Sequence, residues 1–214
     1  MAITGMTGAV YVSDVNEPLN PFTELATECV DPLERKHFRV IDDEYRYWPL
    51  DPAEAQIRVW TKEDEEEWEE YEGAYTVIPI GGCVIFEEAI PADVEVGFWG
   101  NALTLIQAGG FFNWSIDLDG EDAEATTFQS GGWKDFVRTL KGWSGSAEAY
   151  WGDTRFYDSL GKTVVVKLFV DAGEAQDCLE GFAIINGEGI ENPVDGLVQE
   201  TVDFTGTGPL YIRI

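Results

Sequence analysis

Four carboxylates fall within six residues of the phrase IDLDGEDAEAT, namely Asp117, Asp119, Glu121 and Asp122. Clustered carboxylates around a glycine turn are the ligands that hard cations such as calcium prefer, which makes Asp117, Asp119 and Asp122 a candidate metal set. The spacing argues against an EF-hand-type loop: Gly120 stands fourth rather than sixth, and no glutamate occupies the twelfth place. A solvated hairpin turn is the competing reading, and no cofactor is expected. Other chemistry finds less support. Acid–base and nucleophilic catalysis usually draw on a histidine or a matched carboxylate pair. The single histidine, His37, lies between Lys36 and Phe38 in a strand-like run and reads as structural; one histidine also excludes a histidine-rich metal site. With 41 acids in the chain no glycosidase-type pair stands out. Phosphate-cradling motifs are absent. Cys29, Cys83 and Cys178 are odd in number and widely spaced, so they read as buried thiols rather than a disulfide framework. The chain is read as a non-enzyme.

Charge narrows the partners. Lys plus Arg is 13 against 41 Asp plus Glu, a net charge of −28. Eight of the acids lie in residues 62–73, yet 33 acids against 12 bases lie elsewhere, so the acidity is global. Such a surface repels nucleic acid rather than gripping it. Against that background Lys134, Arg138 and Lys141, at i, i+4 and i+7, form a basic stripe that suits a negative partner surface, the nearest being another copy. They are the subunit-contact candidates, with a merely solvated face as the alternative. No apolar run of about 18 residues and no basic-then-apolar leader is present, so neither membrane insertion nor export is expected.

The element that must carry the stripe is WKDFVRTLKGWSGSAEAYW. Trp133, Phe136, Val137 and Leu140 sit at i, i+3, i+4 and i+7, which predicts a short amphipathic helix over 132–141, stopped by Gly142. A strand to Trp151 follows, with Ala147, Ala149 and Trp151 on one face; Trp133 and Trp151 are expected in the core. Ahead of it, Phe112, Trp114, Ile116 and Leu118 alternate with polar or smaller residues, a strand with one core-facing side. Residues 8–13 read as a short strand and 14–35, with Pro18, Pro21 and Pro32, as a loop; together they suggest an N-terminal arm over 1–35 whose deletion leaves the fold intact. Short β-branched or aromatic runs from 36 to 97 suggest a small β-module, including a hairpin turning at Gly81-Gly82. The acidic run 63–72 is compatible with either a short helix or a solvated loop. About a dozen strands make the protein mainly β.

The phrase WSIDLDGEDAEATTFQSGGWKDFVRTLKGWSGSAEAYW, together with VVVKLFVD, EGFAIINGEGIENPVDGLVQETVDFTGTGPLY and the opening MAITGMTGAVYVS, resembles the major tail tube protein of long-tailed, siphovirus-like phages. The likeness covers residues 98–214. It implies a β-sandwich or half-barrel with one flanking short α-helix, and the N-terminal β-module stands outside it. It further implies a virion protein assembled in the host cytoplasm, in which hexameric rings stack into a tail tube. That tube surrounds the tape-measure protein, ends on terminator and baseplate proteins, and later lets double-stranded DNA through an acidic channel without tight binding. Another ring-forming tail component, terminator or baseplate, is the nearest alternative. A carbohydrate-binding β-sandwich using some of the eight tryptophans is the alternative from a different class.

Overall fold

The computed structural model describes residues 9–14, 16–63, 67–108, 110–126, 131, 133–152, 155–170 and 177–213. It is mainly β, with a curled half-barrel sheet and helix limited to single turns. In order come β1 (Ala9–Ser13), β2 (Asn20–Cys29), β3 (His37–Val40), α1 (Pro52–Ala55), β4 (Arg58–Glu63), β5 (Glu69–Glu70), β6 (Tyr75–Ile78) and β7 (Cys83–Phe86). Next are β8 (Val94–Ala102), β9 (Leu105–Ala108), β10 (Phe111–Glu124), β11 (Phe136–Tyr150) and α2 (Arg155–Asp158). The chain closes with β12 (Thr163–Phe169), β13 (Cys178–Glu191), β14 (Gln199–Gly206) and β15 (Tyr211–Arg213). Two compact units result, Met1–Val12 with Gln107–Ile214, and Ser13–Ile106.

In the unit formed by Ser13–Ile106 the strand order is β5-β4-β8-β2-β3-β7-β6. β2 joins its two halves: Asn20–Ala26 pairs with β8, and Thr27–Cys29 pairs with β3. Through the centre Phe22 stacks on Trp48 and Phe98 meets Trp48 edge-on, with ring centroids 6.1 and 5.8 Å apart, and the fully buried Trp48 donates its indole N–H to the Tyr45 carbonyl at 2.8 Å. Burying large aromatics with their polar handle satisfied is what lets so acidic a module hold a core. The expected β6–β7 turn is present, with Gly81 and Gly82 at φ 86° and 61°. A Cβ on Gly82 would also come within 2.9 Å of the Arg46 Cα, so glycine is needed there twice over.

The N-terminal arm expected over residues 1–35 does not exist as such. Residues 1–8 and 15 lie outside the described set, but β1 pairs with β12 through Ala9–Val12, and β2 is central to the other sheet. Removing 1–35 would therefore take a strand from each unit. Proline suggested a loop because it cannot donate to a ladder; Pro21, however, sits where β2 has only β8 beside it, so no second ladder is interrupted. The units accordingly divide near 12 and 106 rather than near 35 and 97. Of the acidic run, 64–66 lie outside the described residues, and Glu69–Glu70 form β5 against β4.

In the other unit the order is β10-β11-β14-β13-β12-β1-β9, with β15 also paired to β13. Val12, Val164, Val165, Leu168, Ile185, Val202 and Phe204 are buried within it. Trp143 is the wedge. Its indole lies over Gly206 and Gly181, where any side chain would collide with the ring, and its N–H donates to the Gly208 carbonyl at 3.1 Å.

Residue 132 lies outside the described set, and the helix expected over 132–141 is not formed by the others: residues 136–150 are one strand, β11, paired antiparallel with β10 across two register shifts. Apolar residues at 133, 136, 137 and 140 fit a helix by spacing alone. Val137 and Thr139 are β-branched, though, and the preceding Asp117–Glu124 segment supplies a partner ladder that a helix would leave unpaired. The alanines behave as their alternation predicts, with Ala147 and Ala149 each 2% exposed. The tryptophans do not, for Trp133 is 81% and Trp151 45% exposed. On β10, Trp114 and Ile116 are half-buried while Phe112 and Leu118 are exposed.

Candidate assembly hairpin

β10 and β11 are the longest neighbouring strands, and their sheet ends before they do. β14 pairs only with Ser144–Tyr150 of β11. Among the described residues, from Leu118 and Trp143 outward to Glu124 and Phe136 the two strands have only each other. An isolated two-stranded ribbon is marginally stable in water and normally acquires a covering surface. This one presents Leu118, Phe136, Val137 and Leu140 to solvent, each between 56% and 69% exposed, with Trp133 beyond them.

Its tip is held by polar contacts that leave those apolar groups free. Lys134 Nζ lies 2.9 Å from Glu124 Oε2, Thr126 donates to Glu124 Oε1 at 2.9 Å, and the Asp135 N–H donates to Thr126 Oγ1 at 3.2 Å. The Lys134 ammonium, and then the Thr126 hydroxyl, hold the Glu124 carboxyl below its ordinary range. Between the pairs Gly120–Lys141 and Asp122–Arg138 a bulge sets two residues of β11, Thr139 and Leu140, against Glu121; Thr139 Oγ1 donates to the Glu121 carbonyl at 3.1 Å. A bulge bends and twists a ribbon and re-aims its side chains.

The basic residues do not form a stripe. Lys134 precedes β11 and pairs with Glu124, Arg138 stands in register with Asp122, and Lys141 is exposed opposite Gly120. Strand residues rise about 3.3 Å each, so the spacing that aligns them on a helix spreads them along a ribbon. The carboxylates of the calcium reading are dispersed likewise. Asp117 and Asp119 lie within β10 opposite Ser144 and Gly142, not in a turn, and period-two alternation puts Asp122 on the other face. Among the described residues no group of three His, Cys, Asp or Glu is placed to hold a metal ion.

His37 lies in β3 opposite Ile85, and its Nε2 is buried without a hydrogen-bond partner among the described residues. Burial, and then Arg39, lower its pKa. A site that disfavours the imidazolium suits a structural role. Cys83 and Cys178 are buried thiols and Cys29 is a partly buried one; burial and then Glu180 push the Cys178 thiol up. A raised thiol is a poor nucleophile at neutral pH.

What sequence reasoning missed is the ribbon itself. The signal lay in Ile116, Leu118 and Gly120 alternating with Asp117, Asp119 and Glu121, a two-residue period continuing well past the point where a third strand is available.

The fold is thus that of a two-unit, mainly β protein with an extended hairpin. No family model and no curated protein matches the chain. Among solved structures, a chain in the tail of an empty gene transfer agent (GTA) particle, refined helically with C6 symmetry, is 15% identical over 52% of this chain and 87% of its own, with a TM-score of 0.42. A chain of the native gene transfer agent virion is also 15% identical over 51% of this chain and 89% of its own, with a TM-score of 0.42. Likeness at that level decides nothing about the work of this chain.

Proposed function

We propose that this protein is a structural subunit of a phage tail, and within the tail the tube protein, whose copies close into rings and whose rings stack. The ribbon is the observation that carries the reading. A monomer gains nothing from holding Trp133, Phe136, Val137 and Leu140 in water at the end of two ordered strands, whereas a partner surface covering them recovers about 25 cal/mol per Å² of apolar area. Among the described residues β10 and β9 are the end strands of their sheet, which adds to this: edges are a hazard in a monomer and a joint in a ring.

The net charge of −28 suits a bore through which double-stranded DNA passes, since a like-charged wall keeps the polymer mobile where a phosphate-binding wall would hold it. In this reading the rings are hexameric, the tape-measure protein fills the tube, terminator and baseplate proteins cap it, and the protein resides in the virion tail after assembly in the host cytoplasm. Its work is structural rather than enzymatic. Arg138 and Lys141 are proposed to meet acidic surface on a neighbouring copy, while Lys134 is engaged by Glu124. A terminator or baseplate role would use the same ribbon but stop at one ring. The carbohydrate-binding alternative draws little from the tryptophans of the other unit, because Trp60, Trp68 and Trp99 are half-buried against one another, with centroids 5.1 and 5.6 Å apart.

The test separates assembly from folding. The triple variant Trp133→Ala, Phe136→Ser, Leu140→Ser removes exposed groups, and surface changes of this kind shift stability by about 0.5 kcal/mol or less each. Its urea midpoint should stay close to that of the unaltered protein, while sedimentation velocity at high concentration shows the large assemblies lost. Assemblies of undiminished size from a folded variant would refute the reading.

A further inference from the structure

Within the unit formed by Ser13–Ile106 lies an open cleft of about 450 Å³ whose walls are Pro49, Pro52 and Pro79 with Leu50, Ile57 and Val77. Prolines carry no N–H and a fixed φ, so such a wall is both apolar and rigid, and a guest meets a site already shaped. Its shape is held from behind. Asp51 caps α1 through the Ala53 N–H at 2.9 Å, and Gln56 closes that turn in the left-handed region at φ 49°, a conformation few non-glycine residues adopt.

One cation stands on the wall, and it is set apart from its fellows. The unit has six bases. Arg35 donates to the Ile90 and Pro91 carbonyls, Lys36 to the Glu87 carbonyl, Arg39 and Arg46 to Glu28 and to Asp43 or nearby carbonyls, and Lys62 lies over the Trp68 ring. The Arg58 guanidinium makes no hydrogen bond or ion pair among the described residues, although acids outnumber bases more than threefold in the chain. A preformed apolar cleft with one uncommitted guanidinium fits a guest that is apolar with a carboxylate beside it.

We infer that this cleft is the socket for the β10–β11 ribbon of a second copy, taking Phe136 and Leu140 between its prolines while Arg58 meets the carboxylates that flank them. The inference rests on the assembly reading and adds its partner surface. Charge complementarity chooses the occupant: residues 116–124 and 133–143 carry six acids against three bases, and Glu121 stands opposite Thr139 and Leu140, while Glu124, opposite Phe136, is shared with Lys134. A knob and a different socket on the same chain make a head-to-tail contact, which propagates instead of closing on itself as a two-fold dimer does. That suits a stack of rings.

The experiment uses the full chain. Copies carrying benzoylphenylalanine in place of Leu50, and also the triple ribbon substitution, are mixed with isotopically heavy unaltered copies and irradiated, and the joined peptides are identified by mass spectrometry. Cross-links to heavy peptides within residues 131–141 are expected. In parallel, Arg58→Glu should raise the concentration needed for assembly by roughly tenfold, with Arg58→Lys intermediate, because a like charge then faces the ribbon. The melting temperature should not move, Arg58 being exposed at the start of β4. Cross-links to other segments or within one chain would overturn the inference. So would unchanged assembly by Arg58→Glu while the triple ribbon variant fails to assemble, a result that leaves the assembly reading standing. If the triple variant assembles normally, the assembly reading falls first.

Discussion

Trp143→Ala should destabilise the protein by about 3–5 kcal/mol, the range for truncating a large buried aromatic. Three observations place it there. The residue is 4% exposed. Its ring fills the space that Gly181 and Gly206 leave open and packs edge-on against Phe204, with centroids 6.2 Å apart. Its N–H satisfies the Gly208 carbonyl, which loses that donor. The loss should appear as a lower urea midpoint, and as faster amide exchange along β13 and β14 but not along β2 and β8, which belong to the other unit. Gly206→Val, which forces a side chain into the indole, should act in the same direction by overpacking. An unchanged midpoint in both variants would show that Trp143 is not the wedge of this sheet.

Glu180→Ala should have the next largest effect, about 3 kcal/mol. The carboxylate is fully buried, forms an ion pair with Arg213 Nε through one oxygen, and lies 3.9 Å from Lys167 Nζ through the other. The register aligns Tyr11, Lys167, Glu180 and Tyr211 across four strands, so the pair spans β12, β13 and β15. Taking out the acid leaves two cations in partly buried positions. Lys167 keeps a second contact, its ammonium lying 4.9 Å from the centre of the Phe169 ring. Exchange should therefore quicken first at β15, which is held by three residue pairs to β13. Glu180→Leu combined with Arg213→Met should recover much of the loss, since replacing a whole buried pair by apolar groups is often neutral where halving it is not. If the double variant is as unstable as the single, the pair matters through its geometry and not its charge balance.

How much of this was legible beforehand depended on whether a local pattern had one solution. The β6–β7 turn did, because consecutive glycines between two β-branched runs serve few other purposes, and both adopt positive φ. The small face of β11 did also: Ala147 and Ala149 alternate with polar residues and are buried. The segment 132–141 had two solutions, since apolar residues at 133, 136, 137 and 140 satisfy a helix by spacing and a strand by composition. The choice was made by a ladder more than ten residues away in sequence, which local periodicity cannot register. That one misreading carried the basic stripe with it, and also the core placement of Trp133. β2 was hidden for a different reason. Proline marks a loop only if both ladders are occupied, and which flank of β2 lacks a neighbour is a tertiary fact. The socket cleft left no local trace at all, because its walls come from residues 49–58 and 77–79, brought together by the isolated Tyr47–Ile80 bridge and by the Trp48 N–H donating to the Pro79 carbonyl at 3.1 Å.

Negative-stain electron microscopy of the concentrated, purified protein is the most direct test of a subunit whose copies are joined through exposed strands. Rings or hollow rods of uniform diameter are the predicted image. A field of dispersed single particles that persists as the concentration rises would contradict the account.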